Sequence, residues 1–258
     1  MASFPHPPHR VISLVPSITE SLFDLGVGEH LAGATDYCIR PAGPLAAVPR
    51  VGGPKNPEVE QIIALQPDLV IANQEENRKV DVEALQAAGL PVWVTFPRTV
   101  AQTLEMLWDI VHLFGIADRA AGLVTIERAY DWAKRAAESA EPVRVFCPIW
   151  REPWMTISAD TYTHDLLRVC GGRNIFADWG EARYPTITLY DVAALTPDVI
   201  LLPNEPFSFD EQHIADFDAY PQIPAVRDGR VLLVDGALLT WYGTRLGRAL
   251  QQIPAWLQ

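Results

Sequence analysis

Short apolar runs alternate with amphipathic stretches along the whole chain. Runs at residues 10–14, 31–34, 68–72 and 92–96, and again at 144–148, 199–202 and 231–234, have the length and composition of buried strands. Between them, helical periodicity falls near 17–25, 80–88, 100–114, 163–169, 189–195 and 241–253. Strands apolar on both faces that alternate with helices predict parallel sheets covered on both sides, an α/β architecture. Ser17-Ile-Thr-Glu20 reads as a capping box opening the first helix, and Gly26 is placed to end it.

The pattern repeats. Ala64, Leu65, Pro67 and Asp68 recur as Ala194, Leu195, Pro197 and Asp198, 130 residues later. Each copy predicts a short helix, a Pro-Asp turn and a buried strand, because proline lacks the N–H and its ring clashes with a continuing helix. Two copies this far apart predict two lobes of like construction. Between them, Asp118 to Ala140 carries one apolar stripe of Leu123, Ile126, Tyr130, Ala133 and Ala137, with Asp118 as cap and Glu141-Pro142 as stop. A single helix of this length reaches ~30 Å. The expected organisation is a tail at 1–9, an α/β lobe at 10–116, a linking helix at 117–141 and a second α/β lobe at 142–258. A stiff linker predicts small closure on ligand binding. Scattering is expected to show a change in radius of gyration below about 1 Å, against roughly 18 Å for a compact chain of this length.

Composition narrows the function. With 20 basic and 32 acidic residues the formal charge is −12, which excludes nucleic acid as a natural partner. Cys38, Cys147 and Cys170 are widely spaced and form no CxxC pair, so buried inert thiols are expected. The first nine residues lack the basic and apolar regions of a secretory signal. Nucleophile elbow, P-loop and dinucleotide fingerprints are missing, so no enzyme is expected. None of the six histidines pairs with another at i, i+4, and no metal site is expected, although His6 and His9 can bind metal adventitiously.

In parallel α/β sheets, ligands sit beyond the carboxyl ends of the strands. Two related acidic loops fall there, Asn73-Gln-Glu-Glu-Asn-Arg78 and Pro203-Asn-Glu-Pro-Phe207, with Glu75 and Glu205 in equivalent places. Tyr37, Phe96, Trp150, Trp154, Trp241 and Tyr242 gather at the same strand ends. Aromatic rings there can stack on a large flat ligand.

The stretches Val11-Ile-Ser-Leu-Val-Pro-Ser-Ile-Thr-Glu20, Asn56 to Ile71 and Val169-Cys-Gly-Gly-Arg-Asn-Ile-Phe176 resemble the ABC-importer binding proteins with a helical backbone, over nearly the whole chain. The resemblance implies two Rossmann-like lobes with parallel sheets joined by one long helix. It implies capture of a corrinoid or other metal chelate in the cleft between the lobes, with no covalently bound cofactor. Carried over by position, the ligand-binding residues are Tyr37, Lys55, Asn73, Phe96, Trp150, Trp154, Tyr184, Trp241, Tyr242 and Arg245. The family docks on an ABC permease through one acidic residue per lobe. Here Glu75 or Glu76 serves in the first lobe, and in the second the position falls on Tyr190, with Asp191 adjacent. A monomer, periplasmic or at the cell surface, is the expected form; a cytoplasmic corrinoid or chelate binder without a permease is the first alternative, and an enzyme on the same scaffold the second.

Overall fold

A computed structural model describes residues 6–258. The predicted tail falls partly outside the described residues, and its last residues are anchored: Pro8 is buried, and the His9 and Arg10 N–H groups donate to the Asp68 carboxylate at 2.7 and 3.0 Å.

Two compact units are present. The first takes in the chain up to Pro97, Gln102–Thr125 and Gly243–Arg245; the second takes in Arg98–Ala101, Ile126–Tyr242 and Leu246–Gln258. The first holds a parallel sheet of β1 (Val11–Ser13), β2 (Leu31–Ala34), β3 (Leu69–Asn73) and β4 (Val92–Thr95), in the order β2-β1-β3-β4. The second holds β5 (Val143–Phe146), β6 (Gly172–Asn174), β7 (Val199–Pro203) and β8 (Val231–Val234), in the order β6-β5-β7-β8. The two sheets have the same topology, as the duplicated sequence predicts. Strand β6 escapes prediction because Gly172-Arg173-Asn174 has no apolar run; it is recruited by pairing with β5.

The repeat has a physical core. In both copies the central helix, α2 (Val59–Ala64) or α7 (Leu189–Leu195), ends on a left-handed residue, Gln66 at φ 47° or Thr196 at φ 43°. An arginine before or at the start of the neighbouring strand then closes the turn. Arg10 donates to the Leu65 carbonyl at 2.6 Å, and Arg144 donates to the Leu195 carbonyl and, at 2.6 Å, to Thr196 Oγ1. The aspartate of each Pro-Asp pair returns the contact: Asp198 accepts from the Arg144 backbone N–H at 3.0 Å, as Asp68 does from Arg10. Because this bond is charge-assisted, Asp198→Ala is expected to cost about 2 kcal/mol in urea unfolding. A loss below about 0.5 kcal/mol would show that the turn holds without it.

The helix of residues 17–25 starts two residues earlier than a capping box with Ser17 at the N-cap predicts. It spans Pro16–Asp24 (α1), with Val15 at the N-cap and no side-chain cap. Proline at the first helical position has no N–H to satisfy and its φ is already helical, so Ser17 falls inside the helix and Glu20 is released for another contact. Gly26 does end it, at φ 75°. The linking helix, by contrast, starts later than predicted. A 3-10 turn at Ala117–Arg119 contains Asp118, and the α-helix (α5) runs over Ala121–Glu138. Its 18 residues correspond to ~27 Å. The stripe lies as its spacing requires: Leu123 and Ala133 are buried, Ile126, Tyr130 and Ala137 half-buried.

The predicted helix over 241–253 starts five residues late. It spans Leu246–Leu257 (α8), and a separate helical turn at Ala237–Thr240 lies before the predicted range, with a break between the two. Gly243 explains the break. Its φ is +115°, and a Cβ there would lie 2.3 Å from Ser21 Oγ. Glycine lets the backbone touch α1, where the Thr244 N–H donates to Ser21 Oγ at 3.0 Å and Thr244 Oγ1 donates to Asp24 at 2.6 Å. No helix among the described residues is long and apolar enough to cross a membrane.

Candidate functional site

In the first unit, the loop after β3 is built around two asparagines. Asn73 is buried; its Oδ1 accepts from the Glu75 and Glu76 N–H groups at 2.8 and 3.2 Å, and its Nδ2 donates to the Thr95 carbonyl at 3.0 Å. Asn77 accepts from the Asn73 N–H at 2.7 Å and donates to the carbonyls of Leu14 and Pro54 at 3.3 and 3.1 Å. This pair ties the ends of β1, β3 and β4 to the Gly52–Asn56 turn, so Asn73 organises the rim from inside rather than presenting its amide outward. Lys55 Nζ donates to the Glu75 carbonyl, which fixes the turn against the acidic loop. Tyr37 stands 66% exposed after β2, and a Cβ on Gly53 would lie 3.6 Å from its ring. Tyr37, Lys55 and Glu75 are thus brought to one rim. Phe96 is half-buried at the end of β4.

In the second unit, strand β5 runs into a two-stranded hairpin, Pro148–Trp150 with Met155–Thr156. Arg151 grips Asp216 with two hydrogen bonds at 2.8 and 3.0 Å and holds the hairpin turn in place. Trp150 is 44% exposed and meets Phe207 edge-on at 5.6 Å. Phe207 lies 4.6 Å from Phe209, on which Trp154 stacks at 5.7 Å with an interplanar angle of 14°. Trp154 also meets Phe217 at 5.7 Å and packs on the core of Phe146, Phe176 and Phe217. The two tryptophans therefore differ: Trp150 is the outer member of an aromatic column and Trp154 its base.

The sequence reading passes over Phe207 and Phe209 as individual contributors. The signal was available, since two phenylalanines alternate around Ser208 just past the end of β7. Glu205 is half-buried rather than a freely solvated acid: its Oε1 accepts from Thr240 Oγ1 at 3.0 Å. Tyr184 is half-buried, with the Arg183 guanidinium 5.7 Å from its ring centre. Trp241 is half-buried, and Tyr242 is buried edge-on against Tyr162 at 6.0 Å. Arg245 is 3% exposed and forms a two-pronged pair with Glu20 of α1, at 2.8 Å through Nε.

The acidic residues carried over for docking have local roles as well. Asp191 closes a capping box: its carboxylate accepts from the Thr188 N–H and hydroxyl at 2.8 and 2.7 Å, and its own N–H donates to Thr188 Oγ1 at 3.2 Å. Tyr190 beside it is 74% exposed. The 130-residue offset of the repeat carries Tyr190 onto Glu60, an exposed residue in the first turn of α2, and not onto Glu75 or Glu76.

The cysteines carry no chemistry here. All three are buried and free of disulfides, and burial pushes the thiols of Cys147 and Cys170 up to about 12. Cys38 is also raised by burial, against the lowering effect of hydrogen bonds with Thr19 and Thr35. Thiols of this kind stay protonated and unreactive.

Residues 11–238 match the periplasmic binding protein family. The vitamin B12-binding protein of Vibrio parahaemolyticus is 30% identical over 230 residues, 87% of this chain and 80% of that one. Its counterpart in Vibrio cholerae, a periplasmic vitamin B12-binding protein of known structure, superposes with a TM-score of 0.85 at 24% identity, covering 98% of each chain. A periplasmic heme-binding protein from Pseudomonas aeruginosa gives a TM-score of 0.79 at 25% identity, over 97% of this chain and 92% of that one. The chain belongs to the periplasmic binding protein family, the substrate-binding components of ABC-type importers.

Proposed function

We propose that this protein captures a corrinoid or a comparable planar metal chelate, such as haem, and delivers it to an ABC permease from the periplasm or the cell surface. The observation that carries this reading is the aromatic column Trp150–Phe207–Phe209–Trp154 at the strand-end rim, in a chain related to proteins that bind vitamin B12 and heme. Rings at a strand end offer π-faces and exclude water around a flat ligand, with little loss of side-chain freedom because the column is already packed. In the second unit Tyr184 and Trp241 are the further candidate contacts, and in the first unit Tyr37, Lys55 and Phe96 are the candidates at its own strand-end rim. Asn73 and Arg245 act as supports for those rims. Titration of the purified protein with cobalamin, cobinamide, haem and ferric siderophores is expected to give saturable binding and tryptophan quenching for at least one. Silence with all four would remove the ligand class.

For docking, Glu60 is the first-lobe residue that the repeat pairs with Tyr190, and it replaces Glu75 and Glu76 in this proposal. Tyr190 in place of an acid, with Asp191 committed to its helix cap, favours a second reading: a chelate binder that no longer engages a permease. Ligand-dependent retention of the protein on permease-containing liposomes separates the two. Retention that is lost in Glu60→Ala supports docking; no retention at all supports the free binder.

A further inference from the structure

The N-terminal edge of the first sheet, at the opposite end of its strands from the aromatic rim, brings two imidazoles together. Strands β1 and β2 are parallel neighbours, and their registers start together, Val11 opposite Leu31. The residues just before those starts are therefore neighbours too. His9 and His30 lie there with ring centres 5.7 Å apart at an interplanar angle of 54°. Both are held from behind. The His9 N–H is bonded to Asp68, which precedes the third strand in the same register, and His30 ends a 3-10 turn at Gly28–His30 with its ring 5.4 Å from that of Phe114. His9 is exposed and His30 half-buried, and neither ring nitrogen pair is engaged by a hydrogen bond among the described residues.

We propose that His9 and His30 form a two-imidazole site for a borderline divalent transition metal ion, Cu2+, Ni2+ or Zn2+, separate from the chelate rim. An imidazole nitrogen sits about 2.0–2.1 Å from such an ion, which puts each ring centre about 3.2 Å away. Two rings bound at tetrahedral or square-planar angles then have centres about 5.2 or 4.5 Å apart, so the observed pair at 5.7 Å needs to close by about half an ångström for the first and about 1.2 Å for the second. Imidazole is the ligand these ions favour, and the pinned backbones of both residues remove most of the ordering cost of chelation. No group of three possible ligands occurs among the described residues, so water completes the shell and the site binds reversibly. Its position also keeps a captured ion away from the chelate, which carries its own metal.

The test is a titration of the full chain with Cu2+ alone at constant pH, followed by calorimetry and by the nitrogen splitting in electron paramagnetic resonance. One ion per chain with a two-nitrogen imidazole signature is expected. His9→Ala and His30→Ala are each expected to weaken binding by about tenfold or more, whereas His6→Ala leaves it within about twofold. All three positions are at the surface of the fold edge, and an unchanged unfolding midpoint without metal confirms that the variants fold. Equal affinity in His30→Ala and wild type, or a signature with a single imidazole, would mean that the chain terminus alone takes the ion and would overturn the site. Should His30→Ala fail to fold, His30→Gln combined with His6→Ala keeps the test: loss of the two-nitrogen splitting supports the site, and its persistence overturns it.

Discussion

Replacing Arg245 by methionine is expected to lower folding stability by about 3–5 kcal/mol, the range seen when one partner of a buried ion pair is removed. The Arg245 side chain is 2% exposed and its partner Glu20 16%, so neither charge has bulk water as a substitute. The guanidinium meets the carboxylate with two nitrogens, the geometry in which such a pair repays the cost of desolvation. Its work is architectural. Together with Thr244, it fastens the Gly243–Arg245 segment onto α1, and that segment directly follows Trp241 and Tyr242. Methionine keeps most of the volume but leaves Glu20 charged and enclosed. Glu20→Gln combined with Arg245→Met removes both charges and is expected to recover at least half of the loss, since what destabilises the single variant is the abandoned carboxylate more than the missing bond. Urea unfolding of the three proteins measures this directly. A single-variant loss under 1 kcal/mol accompanied by a fall in chelate affinity would place Arg245 at the ligand after all.

The fold was legible where local chemistry and tertiary packing demand the same thing. Pro67-Asp68 and Pro197-Asp198 each stop a helix and open a strand by backbone geometry alone, so the duplicated sheet was readable from composition and spacing. The stripe of α5 was readable because one face of that helix is covered and the other is not. Features decided by distant partners were not readable. Nothing around Ser17 says that Pro16 will take the first helical position. Nothing in the Trp241–Ile253 periodicity says that Gly243 must press on Ser21, 222 positions earlier, and so interrupt the helix. The candidate site divides in the same way. Aromatic residues at strand ends were visible as types, but whether each ring faces outward depends on what lies beneath it. Asn73 and Arg245 read as ligand contacts in sequence because buried polar residues and binding residues share the same chemistry; the structure shows both buried and hydrogen-bonded to the fold itself, which no local pattern announces.

The same distinction gives opposite expectations for two tryptophans four residues apart. Trp154→Ala is expected to cost about 3 kcal/mol of stability, near the lower end for removing a large aromatic from a core. Its ring is half-buried, stacked on Phe209 and in edge contact with Phe217, and it packs against the core cluster that contains Phe146 and Phe176. Deleting it opens a space that these rings, already fixed against one another at 5.6 and 6.4 Å, cannot collapse to fill. Trp150 meets one ring of the column, Phe207, and nearly half its surface is open. Trp150→Ala is therefore expected to change stability by no more than about 1 kcal/mol. Its cost is expected in binding instead, on the order of 1–3 kcal/mol of chelate affinity, as for the truncation of an aromatic anchor. Thermal unfolding and ligand titration of both variants make a two-by-two comparison. The assignment stands if Trp154→Ala loses stability and Trp150→Ala loses affinity. It falls if Trp150→Ala binds every tested chelate as the unaltered protein does, because the outermost ring of the column would then have no part in capture and the rim would be a packing feature of the fold.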